Sequence, residues 1–317
     1  MSIAADLRAQ LSLPVICAPM FILSHPALVI AQCLAGVVGS FPALNARPES
    51  ALDTWLEEIG RALEAARKIA PNRRIAPFAV NQIVHPSNPR LAHDMEACVR
   101  HRVPLIITSL HAPDAIVPAV HAYGGLVFHD VISVRHAEKA LEAGVDGLIL
   151  VCAGAGGHAG TLSPFALVGE IRRIFDGPIV LSGAISRGAD ILAAQAMGAD
   201  FAYMGTRFIA SEESSASPAY KDCVRDASAA DIVYTPYFTG VAGNYLKPSI
   251  VAAGLDPARL PASDGRALDL MDKDVKAWRD IWGAGQGVGN IDDAPPVAAI
   301  VERLAREYAE ARARLTA

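Results

Sequence analysis

His158 stands in the run Gly-Ala-Gly-Gly-His-Ala-Gly, residues 154–160, immediately after an apolar stretch, and it is the one ionisable side chain there. An imidazole with an ordinary pKa of ~6.5 can take or give a proton near neutrality. The surrounding glycines let backbone approach a ligand closely and adopt dihedrals that other residues avoid. The chemistry this suggests is general acid–base work beside a flat or phosphorylated ligand. A second group is Ser182-Gly183-Ala184 and Gly205-Thr206, which close two successive apolar runs. Small residues at that point expose unpaired backbone N–H groups at helix starts, the usual grip on a phosphate. Ser182 and Thr206 add hydroxyl donors. Ala18-Pro19-Met20 and Asn81 end two further runs, and Gln286 sits in Gly-Ala-Gly-Gln-Gly-Val-Gly, residues 283–289, either as turn chemistry or as a ligand contact.

These groups need elements to bring them together. Apolar runs at residues 15–20, 37–41, 75–81, 105–109, 126–131, 147–152, 178–182 and 201–205 alternate with amphipathic or alanine-rich segments. In residues 49–69, for example, Leu52, Leu56, Ile59 and Leu63 recur at helical spacing. Eight such units predict an α/β fold, a TIM (β/α)8 barrel, with an open doubly wound sheet as the competitor that periodicity does not separate. In a barrel, function lies at the C-terminal ends of the strands, where every group named above except Gln286 falls. The barrel is expected over residues 1–210, completed by a helix over 294–317. Residues 211–293 break the rhythm and are expected to form a small C-terminal lobe covering one barrel end. Tyr234, Tyr237, Phe238, Asn244, Tyr245 and Lys247 in that lobe are candidates for substrate contact.

Composition narrows the function classes. With 317 residues, 52% hydrophobic and 19% charged, the chain can bury a large core. A net charge of −5 and the lack of a Lys/Arg stripe argue against nucleic acid and leave a small molecule as the expected partner. Five scattered cysteines, Cys17, Cys33, Cys98, Cys152 and Cys223, have neither disulfide nor zinc spacing, so no metal site is expected. The N-terminus has no basic leader, and no apolar run approaches the roughly 20 residues that span a bilayer. A cytoplasmic enzyme without a membrane partner is therefore expected, of an oligomeric state the residues do not reveal.

The ordered set Ala-Pro-Met, Pro-Phe-Ala-Val-Asn, Ala-Gly-Gly-His-Ala-Gly, Leu-Ser-Gly-Ala-Ile and Tyr-Met-Gly-Thr-Arg-Phe resembles the nitronate monooxygenases, formerly 2-nitropropane dioxygenases. It runs from about residue 13 to 210 and resumes at Ile281-Trp-Gly-Ala-Gly-Gln-Gly-Val-Gly. That family of FMN-dependent barrels is also similar to flavin-dependent enoyl-ACP reductases and certain NAD(P)H:quinone reductases. The resemblance implies FMN across the barrel mouth. Ala18, Pro19 and Met20 would pack near its ring and Asn81 would hydrogen-bond it. Ser182, Gly183, Ala184, Gly205 and Thr206 would hold its phosphate, with Gly157 and Gln286 completing the cofactor site. His158 matches the catalytic histidine, which removes a proton from a nitroalkane or steers a nitronate. The implied reaction passes electrons from the nitronate through the flavin to O2 and yields a carbonyl compound and nitrite. The alternatives are an NAD(P)H-dependent flavin reductase acting on an enoyl thioester or quinone, and a non-catalytic flavin-binding barrel. Two positions depart from the family: Asp130, where several members carry lysine, and Val151, where they carry an acid or amide.

Overall fold

In the computed structural model, which describes residues 2–260 and 280–316, eight short parallel strands close on themselves. They are β1 (Val15–Cys17), β2 (Gly39–Pro42), β3 (Phe78–Val84), β4 (Leu105–Leu110), β5 (Leu126–Val131), β6 (Gly147–Val151), and, after a two-residue strand β7 (Gly157–His158), β8 (Ile179–Ser182) and β9 (Phe201–Met204). The spatial order is β1-β9-β8-β6-β5-β4-β3-β2. Closure comes from β1: Cys17 N donates to Val38 O at 2.8 Å and Val38 N to Val15 O at 3.1 Å. The expected eight-stranded barrel is thus the observed one.

The runs are apolar throughout because both faces are buried. Ile16, Val38, Ile107, Phe128, Ile149, Val180 and Phe201 fill the barrel. Their neighbours Val15, Cys17, Ile106, Val127, Leu148, Leu150, Leu181 and Ala202 face the helices outside. On the helix Ala51–Ile69 the buried residues are Leu52, Leu56, Ile59 and Leu63, as the spacing predicts. Each contributes about 1.5–3 kcal/mol of burial. Strand limits differ in detail: β3 starts at Phe78 and runs beyond Asn81, because Pro77 before it has no N–H for the ladder.

After the short helix Thr206–Ile209 come the helix Pro218–Asp226, β10 (Ile232–Thr235), β11 (Gly243–Leu246) and the helix Lys247–Ala252. Residues 261–279, part of the expected covering lobe, lie outside the described residues. β11 pairs antiparallel with both β10 and β7, so part of the run expected to be a loop, residues 154–160, is instead the edge of a three-stranded sheet. Glycine makes this possible, since a Cβ on Gly243 would lie 2.7 Å from Gly157 O. The last helix, Val297–Thr316, returns to the barrel wall, where Glu307 accepts from Gly188 N at 2.7 Å and Tyr308 donates to Gln195 Oε1 at 2.6 Å. No helix of the described residues is long and apolar enough to cross a membrane.

Candidate active site

Side chains alternate along a strand, so the residues two beyond the apolar interior layer also point inward. Following Ile16, Ala79, Ile107, Phe128, Ile149, Val180 and Phe201, they are Ala18, Asn81, Ser109, Asp130, Val151, Ser182 and Tyr203. All seven line one cavity at the C-terminal ends of the strands. Bounded by the described residues, it measures about 1960 Å³, above the ~300–1,000 Å³ of a site for one drug-sized ligand and large enough for a cofactor with a substrate beside it.

The β8–β9 side of the mouth is built from backbone. Gly183 (φ +143°) and Ala184 (φ +55°) turn the chain after β8, and the left-handed Ala184 is a conformation that non-glycine residues rarely adopt. A Cβ on Gly183 would stand 2.9 Å from Ala153 O. Gly183, Ala184, Gly205 and Thr206 line the cavity and donate no backbone hydrogen bond within the described residues. Four N–H groups therefore remain for a ligand. The Thr206 hydroxyl accepts from Gly285 N at 2.9 Å, which fixes the 283–287 segment over the mouth and leaves its own proton to donate. Arg207 points away, buried in an ion pair with Asp293.

The β3–β5 side is built from side chains. Asn81 Nδ2 donates to Ser109 Oγ at 2.8 Å and to Ile107 O at 3.3 Å, and Ser109 Oγ donates to Asp130 Oδ2 at 2.6 Å. The other carboxyl oxygen of Asp130 is buried without a partner, as is the Tyr203 hydroxyl. Burial pushes Asp130 up to about 7 against the opposing pull of Ser109, and Tyr203 well above its usual range. His129, the next residue back on β5, faces away and pairs with Thr108 Oγ1 at 2.8 Å.

His158 enters the cavity from β7. Its Nε2 lies 2.8 Å from Thr239 Oγ1. Thr239 in turn donates to Val241 O at 3.0 Å. The contact with Thr239 ties the ring to the segment before β11. Burial lowers the ring to about 4, a correction to the ordinary value expected from the sequence. At neutral pH it is a neutral imidazole.

Of the residues singled out in the sequence, Ala18, Pro19, Met20, Asn81, Gly157, His158, Ser182, Gly183, Ala184, Gly205 and Thr206 share this cavity. Gln286 does not: its residue is exposed, and its backbone N donates to Gly154 O at 2.9 Å, which is turn chemistry. Of the six lobe candidates named from the sequence, Tyr237 and Phe238 line the cavity. Tyr234 donates to Ala159 O at 2.8 Å, and Asn244 donates to Ala155 O at 2.6 Å, so both brace the glycine run. Tyr245 is buried against Phe238, and Lys247 caps Ala230 O at 2.6 Å. Sequence reasoning missed Tyr203 and Thr239. Strand alternation from Phe201 would have placed Tyr203 inward, whereas nothing local marks Thr239.

The family model described as nitronate monooxygenase matches residues 79–307. A nitronate monooxygenase of Paraburkholderia phytofirmans is 28% identical over 295 residues, covering 77% of this chain and 76% of that protein. Other curated relatives align over only 41% to 55% of their own length. A nitroalkane oxidase structure from Streptomyces ansochromogenes superposes with a TM-score of 0.77 at 25% identity, covering 98% of this chain and 99% of that one. A FabK variant from Thermotoga maritima superposes with a TM-score of 0.77 at 25% identity, covering 100% and 99%.

Proposed function

The chain belongs to the nitronate monooxygenase family and is an oxidoreductase, and from that premise we propose that it binds FMN across the barrel mouth and uses O2 to oxidise alkyl nitronates to a carbonyl compound and nitrite. The residues present suit the cofactor. Gly183, Ala184, Gly205 and Thr206 offer unspent backbone N–H groups at two loops ending near helix starts, where a phosphate is held. Ala18, Met20 and Val151 offer apolar surface to a flat ring, and Asn81 and Asp130 offer polar edges. When bound, FMN supplies electron transfer from substrate to O2. The described residues of 211–293 act as the lid over that site, with Tyr237 and Phe238 on the substrate side.

One observation carries the proposal: the backbone donors and His158 line the same cavity. His158, neutral at pH 7 and hydrogen-bonded through Nε2 to Thr239, is the proton-accepting side chain of the site. Its low proton affinity gives little drive to deprotonate a neutral nitroalkane. An anionic nitronate beside the ring favours the charged imidazolium and so raises that affinity. Nitronates are therefore the better substrates. Oxygen uptake and nitrite release by the purified, yellow protein test this: faster turnover on a preformed nitronate than on the parent nitroalkane is expected. Turnover that requires NADH or NADPH and an enoyl thioester or quinone would overturn it.

A further inference from the structure

Two buried polar atoms at the cavity floor have no partner among the described residues: the Asp130 carboxyl oxygen remote from Ser109, and the Tyr203 hydroxyl. Leaving such a group unsatisfied costs roughly 1–3 kcal/mol, and native proteins keep few of them. Both sit in the top inward layer of the barrel, on β5 and β9, and both line the cavity. Asp130 also lacks the neighbours that would hold a carboxylate. From β4 it receives one hydroxyl, Ser109, with the Asn81 amide of β3 behind it. β6 presents Val151. Tyr203 faces in from β9, and burial raises it, so it carries no charge at neutral pH. The ionisable rings and guanidinium groups lining the cavity, His136, His158, Arg47 and Arg90, make no hydrogen bond to Asp130 among the described residues.

We propose that Asp130 is kept as a carboxylic acid whose free oxygen, together with the Tyr203 hydroxyl, donates hydrogen bonds to an electron-rich edge of the flat ring bound over the barrel mouth. The site is thus a pair of neutral donors, where a cation would otherwise do the same work. This rests on the FMN reading above. It adds that the protein's hold on the ring weakens when Asp130 ionises, because the donor is lost and a negative charge takes its place. The direction of the Asp130 shift, up to about 7, supports the protonated form below neutrality.

Asp130→Asn keeps the shape and a donor but has no proton to lose. Infrared spectra of the purified proteins at about pH 6 should show a protonated-carboxyl stretch in the wild type that Asp130→Asn lacks. FMN dissociation constants, measured by flavin fluorescence from about pH 6 to about pH 8.5, should rise in the wild type relative to Asp130→Asn by up to about tenfold per unit above neutrality. The ratio between the two proteins cancels the ligand's own titration. Tyr203→Phe should melt at the same or a higher temperature, since its hydroxyl has no partner to lose, yet bind FMN about tenfold more weakly. Absence of the carboxyl band, pH profiles that superimpose, or wild-type FMN affinity in Tyr203→Phe would each overturn the inference. A protein that binds no FMN would instead overturn the cofactor proposal, and the infrared band would still report on Asp130.

Discussion

The two sides of the cavity mouth are made of different materials. On the β8–β9 side, Gly183, Ala184, Gly205 and Thr206 present backbone, which offers donors of fixed direction that no pH change removes. On the β3–β5 side, Asn81, Ser109 and Asp130 form a chain of side chains in which a single residue exchange alters charge, donor count and reach. A backbone grip suits a group common to many reactions, such as a phosphate. A side-chain floor suits what differs from one reaction to the next. Departures such as Asp130 fall on the side where change is easy, and the glycine side is constrained by sterics.

The largest expected effect breaks the backbone side. In Gly183→Val the new side chain meets Ala153 O and must adopt a left-handed φ. The protein should fold and purify colourless, whereas stoichiometric FMN in this variant would remove the phosphate grip from the account.

Next comes His158→Asn, which leaves both walls intact. Turnover of neutral nitroalkane should fall by about 10², the low end for losing a general base because the ring's proton affinity is low, with much less loss on preformed nitronate. Equal losses on the two substrates, at unchanged flavin content, would show a positional ring and not a base.

The backbone donors of the β8–β9 side do not titrate, whereas two buried rings, on β5 and β7, do. Burial lowers His129 and His158 to about 4, so between that value and the ordinary ~6.5 the unfolded chain binds more protons than the folded one. Stability is complete above that window and lost as pH falls through it, by up to about 3 kcal/mol for a ring as buried as His129. Urea unfolding of His129→Asn should accordingly show a shallower loss between neutral and acid pH than the wild type. Parallel curves would mean that His129 is already charged in the fold.

The smallest effect concerns the contact between glycine run and lid. Thr239→Val should lower nitroalkane turnover no more than about tenfold, the worth of one hydrogen bond, and shift its pH profile, while Thr239→Ser restores both. A stability change with an unmoved profile would make Thr239 a brace only.

The same contrast explains what the sequence makes legible. The eight apolar runs and the glycines that end two of them are local signals, so the barrel and its backbone grip follow from residue type and spacing. Asn81, Ser109 and Asp130 are separated by 28 and 21 residues. Only strand register makes them neighbours, although alternation from Ile107 and Phe128 points each one inward. Thr239 lies 81 residues from His158 and reaches it through the pairing of β7 with β11, for which a run of glycines gives no forward sign. Gln286 lies off the cavity lining for the opposite reason: glycines flank it as they flank His158, but here they serve a turn in which the glutamine is exposed.

The most direct test of nitronate oxidation on a flavin held by this barrel is an anaerobic titration of the purified protein, following the visible flavin absorbance as a nitronate or NAD(P)H is added. Bleaching by nitronate, recovery of colour on admitting O2 with release of nitrite, and no rapid bleaching by NADH or NADPH are the expected results. Rapid bleaching by a nicotinamide with none by nitronate would contradict nitronate oxidation.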